Sequence, residues 1–82
     1  MESSKCPFEI GKRYRVVQGF KCSVHHFESG QIVEFQSAMH DRFQEYTKYA
    51  FRDVLTGELN IWFVSDYEEP ASEQWNHYFE PV

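Results

Sequence analysis

Eighty-two residues suffice for one small domain, and such a domain buries only about 60% of the surface its unfolded chain exposes. Eight Phe, five Tyr and two Trp supply the apolar area that burial needs, at roughly 150–250 Å² per ring, which sets the chain apart from a disordered one. A net charge of −5 without a clustered basic face excludes general nucleic-acid binding.

Residues 1–82 read as a single domain with 1–7 as a flexible N-terminal tail. The motif Phe-x-x-Gly-x-x-apolar-x-apolar then occurs twice, as Phe8-x-x-Gly11-x-x-Tyr14-x-Val16 and as Phe27-x-x-Gly30-x-x-Val33-x-Phe35. Each copy is an aromatic anchor, a glycine turn and a strand with alternate large apolar residues. Lys12 to Phe20 reads as one half-buried strand, with Tyr14, Val16 and Phe20 inward, Arg13 and Arg15 outward, and Gly19 marking a bulge or bend. Lys21 to Ser29 has turn character and carries Cys22, His25 and His26. Gln31 to Gln36 is a second strand with Val33 and Phe35 inward. In the 37–47 stretch Met39, Phe43 and Tyr46 fall at helical spacing, which suits either a short helix capped by Ser37 or a long loop pinned by its rings.

Tyr46 to Val64 predicts a hairpin. Val54-Leu55-Thr56-Gly57 reads as a type I turn closed by Gly57 in the left-handed conformation. The register that follows pairs Val54 with Glu58, Phe51 with Ile61 and Tyr49 with Phe63. One face then holds Tyr49, Phe51, Leu59, Ile61 and Phe63, and the other holds Ala50, Arg52, Asn60 and Trp62. Asp66 to Ser72 is an acidic loop broken by Pro70, a short helical turn runs through Trp75 and His77, and Tyr78 to Val82 supplies a last strand. The fold expected is all-β: a five-stranded SH3-like small barrel with one short helical turn before the last strand.

The two Phe-x-x-Gly motifs, Tyr49-x-Phe51, Gly57-Glu58, Trp62 and Tyr78-Phe79 together resemble a family of bacterial domains about eighty residues long that carries only an unknown-function label. The resemblance implies a bacterial source and no enzymatic activity, and it assigns no functional residue.

The chemistry-bearing residues are sparse. Cys22-x-x-His25-His26 forms one pair-like cluster where zinc needs two, so these three are weak candidate ligands and no metal or other cofactor is expected. A Cys22 nucleophile with a histidine base lacks any mark of an oxyanion hole, and no glycine loop is built for phosphate. A non-enzymatic module that binds a protein or peptide partner is the function expected. Its candidate residues are Trp62, Arg52, Tyr46, Tyr67, Asp66, Glu68 and Glu69, an aromatic shelf beside acids that suits a basic or proline-rich peptide. Trp62 stands outward with Arg52 in the register above, or is covered by the Trp75 segment or by the 37–47 stretch. No Lys or Arg follows Arg52, so a small acidic inhibitor of a basic partner is the alternative. No run approaches the ~20 apolar residues of a membrane span, and the N-terminus lacks the apolar core of a signal peptide. Cys6 and Cys22 are too few for a disulfide scaffold. The expectation is a cytoplasmic monomer or weak homodimer.

Overall fold

The computed structural model describes residues 6–82, so the expected tail over 1–7 lies outside the described residues up to residue 5. The strands are β1 Arg13–Val16, β2 Phe20–Cys22, β3 His25–Phe27, β4 Ile32–Asp41, β5 Tyr46–Asp53, β6 Leu59–Ser65 and β7 Phe79–Pro81. A short helix, α1 Ala71–Gln74, runs into a 3-10 turn at Trp75–His77, as the sequence predicts for this region. The all-β class holds. The closed five-stranded barrel does not: five strands form an open antiparallel sheet in the order β6-β5-β4-β1-β7, and β2 and β3 make a separate ribbon.

The ribbon lies across the gap between the two sheet edges without strand pairing to either. Cys22 Sγ sits 3.2 Å from the Phe63 amide N and 3.8 Å from its carbonyl O, covering the outer edge of β6. Phe20 packs on the Tyr78 and Phe79 rings at 4.6 and 5.8 Å. Pro81 in β7 has no N–H to offer a neighbour. One strand over Lys12–Phe20 is replaced by two: Val17 donates to Tyr78 O at 2.8 Å, one residue past the β1–β7 ladder, and the chain bends at Val17 and Gln18. Gly19 is a point of close approach and not a bulge: a Cβ there would lie 3.1 Å from Phe27 O and 3.2 Å from Ser29 N.

The sequence repeat is a local two-fold in the backbone. Tyr14 and Val33, equivalent positions of the two copies, face each other across the β1–β4 ladder. Gly11 donates to Phe35 O at 2.8 Å and Gly30 donates to Val16 O at 2.7 Å, so each glycine closes onto the last residue of the other copy. Both glycines have positive φ, which lets the chain turn sharply into each strand. The N–H groups of Glu9 and Glu28, again equivalent, are met by Tyr14 Oη and by Gln31 Oε1, both at 2.9 Å. The anchors Phe8 and Phe27 are both buried. The Phe8 ring is the centre of the core, 4.9 to 6.1 Å from the rings of Phe51 and Trp62 respectively, with Phe79 at 5.4 Å.

The β5–β6 register differs from the predicted one by a single residue. Tyr49 faces Trp62, Phe51 faces Asn60 and Arg52 faces Leu59. Asp53 is the cause. Its N–H donates to Glu58 O at 2.8 Å, and its Oδ1 accepts from the amides of Leu55 at 2.7 Å and Thr56 at 3.0 Å. Gly57, at φ +79, donates back to Asp53 O. The loop therefore holds all of Val54–Gly57, and the slip exchanges the faces of β6. Trp62 and Val64 enter the core, while Leu59 is exposed and Ile61 and Phe63 are half-buried on the outer face.

Residues 37–41 extend β4, and neither a helix nor a loop occupies them. An irregularity between Phe35 and Ser37 inserts Gln36 as an extra residue, and such a bulge shifts the side-chain alternation by one. Asp41 then repeats the Asp53 turn: its Oδ1 accepts from Phe43 and Gln44 N, both at 3.0 Å, and Glu45 at φ 61 donates to Asp41 O at 2.8 Å. Met39 and Phe43, the supposed helical face, are exposed.

Candidate binding cleft

The core-facing side of β4 and β5 changes character at the bulge. Below it Val33, Phe35, Phe51 and Tyr49 fill the interior. Beyond it Ala38, His40 and Thr47 occupy the same face, by their pairing with Tyr49, Thr47 and Val64. These side chains are too small or too polar to continue the aromatic packing. A cleft of about 720 Å³ remains, with Ala38, His40, Thr47 and Tyr49 on the floor, Pro70 to Glu73 as one wall and Cys6 at its end. It shares Thr47, Tyr49, Pro70 and Ala71 with a second hollow of about 380 Å³ that reaches Asp66 and Glu68.

The wall is tied down. Asp66 N donates to Glu45 O at 2.9 Å and the Tyr67 hydroxyl donates to the Glu45 carboxylate at 2.7 Å. His40 Nε2 lies 3.0 Å from both carboxylate oxygens of Asp66. Glu68 accepts from Ser65 N at 2.9 Å and from Gln74 Nε2 at 3.1 Å. Gln74, the buried polar side chain, also donates to Glu69 O. Both hydrogens of its amide are thus used, and the loop is preformed. Burial raises the Tyr49 hydroxyl above the ordinary tyrosine value, the nearby Cys6 thiolate charge adds to this, and the Thr47 hydroxyl opposes it. Tyr67 is raised first by its bond to the Glu45 carboxylate, then by desolvation and by the charge of Asp66.

One strand edge opens onto this cleft. β1 pairs β4 only as far as the Gly11 and Lys12 bonds to Phe35. Phe35 turns its backbone groups toward β1, and the bulge moves the alternation by one. Ala38 and His40 therefore turn their N–H and C=O away from β5, and no described residue pairs with them.

The sequence candidates separate into three places. Trp62 is core at 5% exposure, so its reading as an exposed anchor beside Arg52 is overturned by the register. Arg52 and Tyr46 lie on the outer face of the sheet. Arg52 is exposed and donates to Gln36 Oε1 at 3.1 Å, and Tyr46 packs edge-on against Phe63 at 5.1 Å. Asp66 and Glu68 line the hollow that adjoins the cleft, and Tyr67 and Glu69 stand exposed on the same loop. Cys22 and His25 are partners across the ribbon, with His26 on its opposite face. Among the described residues no three His, Cys, Asp or Glu side chains gather as a metal site. The Cys22 thiol instead latches the ribbon to Phe63. The residues missed from sequence are the cleft floor, Ala38, His40 and Thr47, whose signal is an apolar face that turns small and polar past an unrecognised bulge. Arg15 on β1 and Glu80 on β7 form a cross-strand ion pair.

No protein-family model matches the chain, and no curated relative matches it. Among solved structures the fold is similar to an integron cassette protein from the mobile metagenome of Vibrio cholerae, with a TM-score of 0.71 at 16% identity over 90% of this chain and 84% of that one. The likeness establishes a shared fold. The resemblance to a family of small bacterial domains thus has a shared fold beside it and no family match. No described helix is long and apolar enough to cross a membrane.

Proposed function

We propose that this protein is a non-enzymatic interaction module, bacterial and cytoplasmic, whose cleft between the far half of the β4–β5 hairpin and the 66–73 wall receives a basic segment of a protein partner. The observation that carries this reading is the preformed cleft itself: a floor of Ala38 and Thr47 beneath a wall held by Glu45, Asp66, Glu68 and Gln74. Its sign follows from its acids, since Glu73 lines it, Asp66 and Glu68 line the hollow that adjoins it, Glu69 stands exposed on the same loop, and no Lys or Arg follows Arg52. Fixed walls reduce the ordering cost of association, and a single sign of charge at the rim steers a partner of opposite sign.

The test is calorimetric titration of a lysine-rich peptide into the parent protein and into the double variant Glu69→Lys/Glu73→Lys. Both carboxylates are exposed, and neither makes a hydrogen bond among the described residues, so the fold survives their loss. Binding that weakens with added salt and falls at least about tenfold in the variant supports the proposal. Equal affinity for both proteins contradicts it.

A further inference from the structure

We infer that the partner segment binds in extended form, as an added β-strand on the edge of β4 from Ser37 to Asp41, which no described residue pairs; this rests on the proposed role of the cleft and specifies how it is used.

Exposed strand edges template pairing with other chains, and proteins block the ones they do not use. In the five-stranded sheet, two of the three edge stretches that no described residue pairs are blocked. The outer edge of β6 is covered at Phe63 by the Cys22 thiol, and β7 spans three residues and ends in Pro81. The stretch Ser37–Asp41 carries neither proline nor lysine, and Ser37 through His40 are exposed. Its backbone groups at Ala38 and His40 point into the space at the mouth of the cleft. They sit two residues apart, roughly 6.8 Å along the strand, the repeat that an incoming strand offers.

An added strand would place alternate side chains on opposite faces of the sheet. One set enters the cleft above Ala38, His40 and Thr47, under the field of Asp66 and Glu73. The other set lies over Met39, which is 62% exposed on the outer face. The recognised segment is therefore extended and alternating, with basic residues at every second position and apolar residues between. A second copy of this chain meets the edge less well, since pairing two such edges brings two acidic loops together in a molecule of net charge −5.

The probe is a short peptide of alternating Lys and Val, together with two derivatives N-methylated on one or the other alternate set of amides. In strand addition one set of amides faces β4 and the other faces solvent. We expect one derivative to lose at least about tenfold in affinity and the other to stay within about threefold of the parent peptide. On the protein side, Ala38→Pro removes an N–H that β5 does not use, so it should weaken binding about tenfold while the melting temperature holds. Retention of affinity by both derivatives and by Ala38→Pro overturns strand addition and leaves the cleft reading intact. Failure of the parent peptide to bind overturns both. Concentration-dependent dimerisation in sedimentation, abolished by Ala38→Pro, overturns the partner assignment in favour of a second copy.

Discussion

Replacing Asp53 by Ala tests whether one carboxylate sets the register of the β5–β6 hairpin. The side chain accepts from Leu55 N at 2.7 Å, Thr56 N at 3.0 Å and Gln31 Nε2 at 2.6 Å. Hydrogen bonds to a charged group contribute roughly 1.5–3 kcal/mol each when buried. Asp53 is only half-buried, so water replaces much of what is lost, and the net cost should be about 2 kcal/mol. For a domain of this size that lowers the melting temperature by roughly 8–16 °C. The pH dependence carries a sign. The same bonds, led by that from the Thr56 amide, hold the Asp53 carboxyl below its ordinary value. The stabilisation is therefore present at neutral pH and is lost as pH falls from the ordinary aspartate range through the depressed folded value. Asp53→Ala should flatten that acid limb, and Asp53→Asn should flatten it while keeping the acceptor for the loop amides and losing less stability. Urea unfolding followed by circular dichroism at neutral and acid pH measures both effects. A loss in Asp53→Ala under about 0.5 kcal/mol, with the acid limb unchanged, would refute the assignment.

Four further outcomes follow from the packing. Phe8→Ala removes the central ring and should cost about 3–5 kcal/mol, a large part of the total stability of a small domain; retention of the parent urea midpoint would contradict its central place. Gly19→Ala pushes a methyl group against the backbone of Phe27 and Ser29 and should cost about 1–3 kcal/mol by overpacking, whereas a bulge glycine facing open space would tolerate it. Thiol labelling in the native protein should modify the exposed Cys6 promptly and Cys22 slowly; equal rates would show that the ribbon does not hold Cys22 against Phe63. Tyr49 has its hydroxyl raised by burial, so the stability it contributes is full below about pH 10 and is lost as pH rises through its folded value. Tyr49→Phe should soften that alkaline loss.

The elements with strict alternation and a glycine turn were legible from residues alone. Tyr14, Val16, Val33 and Phe35 all point inward as their period-two pattern requires, and the repeated motif is a structural repeat. The failures have two causes. Asp41 and Asp53 each build a four-residue loop with their own side chains, and a turn read from Gly57 alone sets the register one residue off. That slip placed Trp62 outside. The bulge at Gln36 has no local signature, so Met39, Phe43 and Tyr46 mimic a helical face while the chain runs on as a strand. The acidic loop was visible in composition. Its floor was not, because Ala38, His40 and Thr47 become a surface only once the bulge assigns them to the inner face.

Amide chemical-shift mapping during titration with the alternating Lys and Val peptide tests most directly whether the cleft is the binding site. Shifts gathered at Ala38, His40, Thr47, Tyr49 and Ala71, saturating together, are the predicted result. Shifts centred instead on Val24 and Leu55, at the other end of the molecule, or none at all, would contradict it.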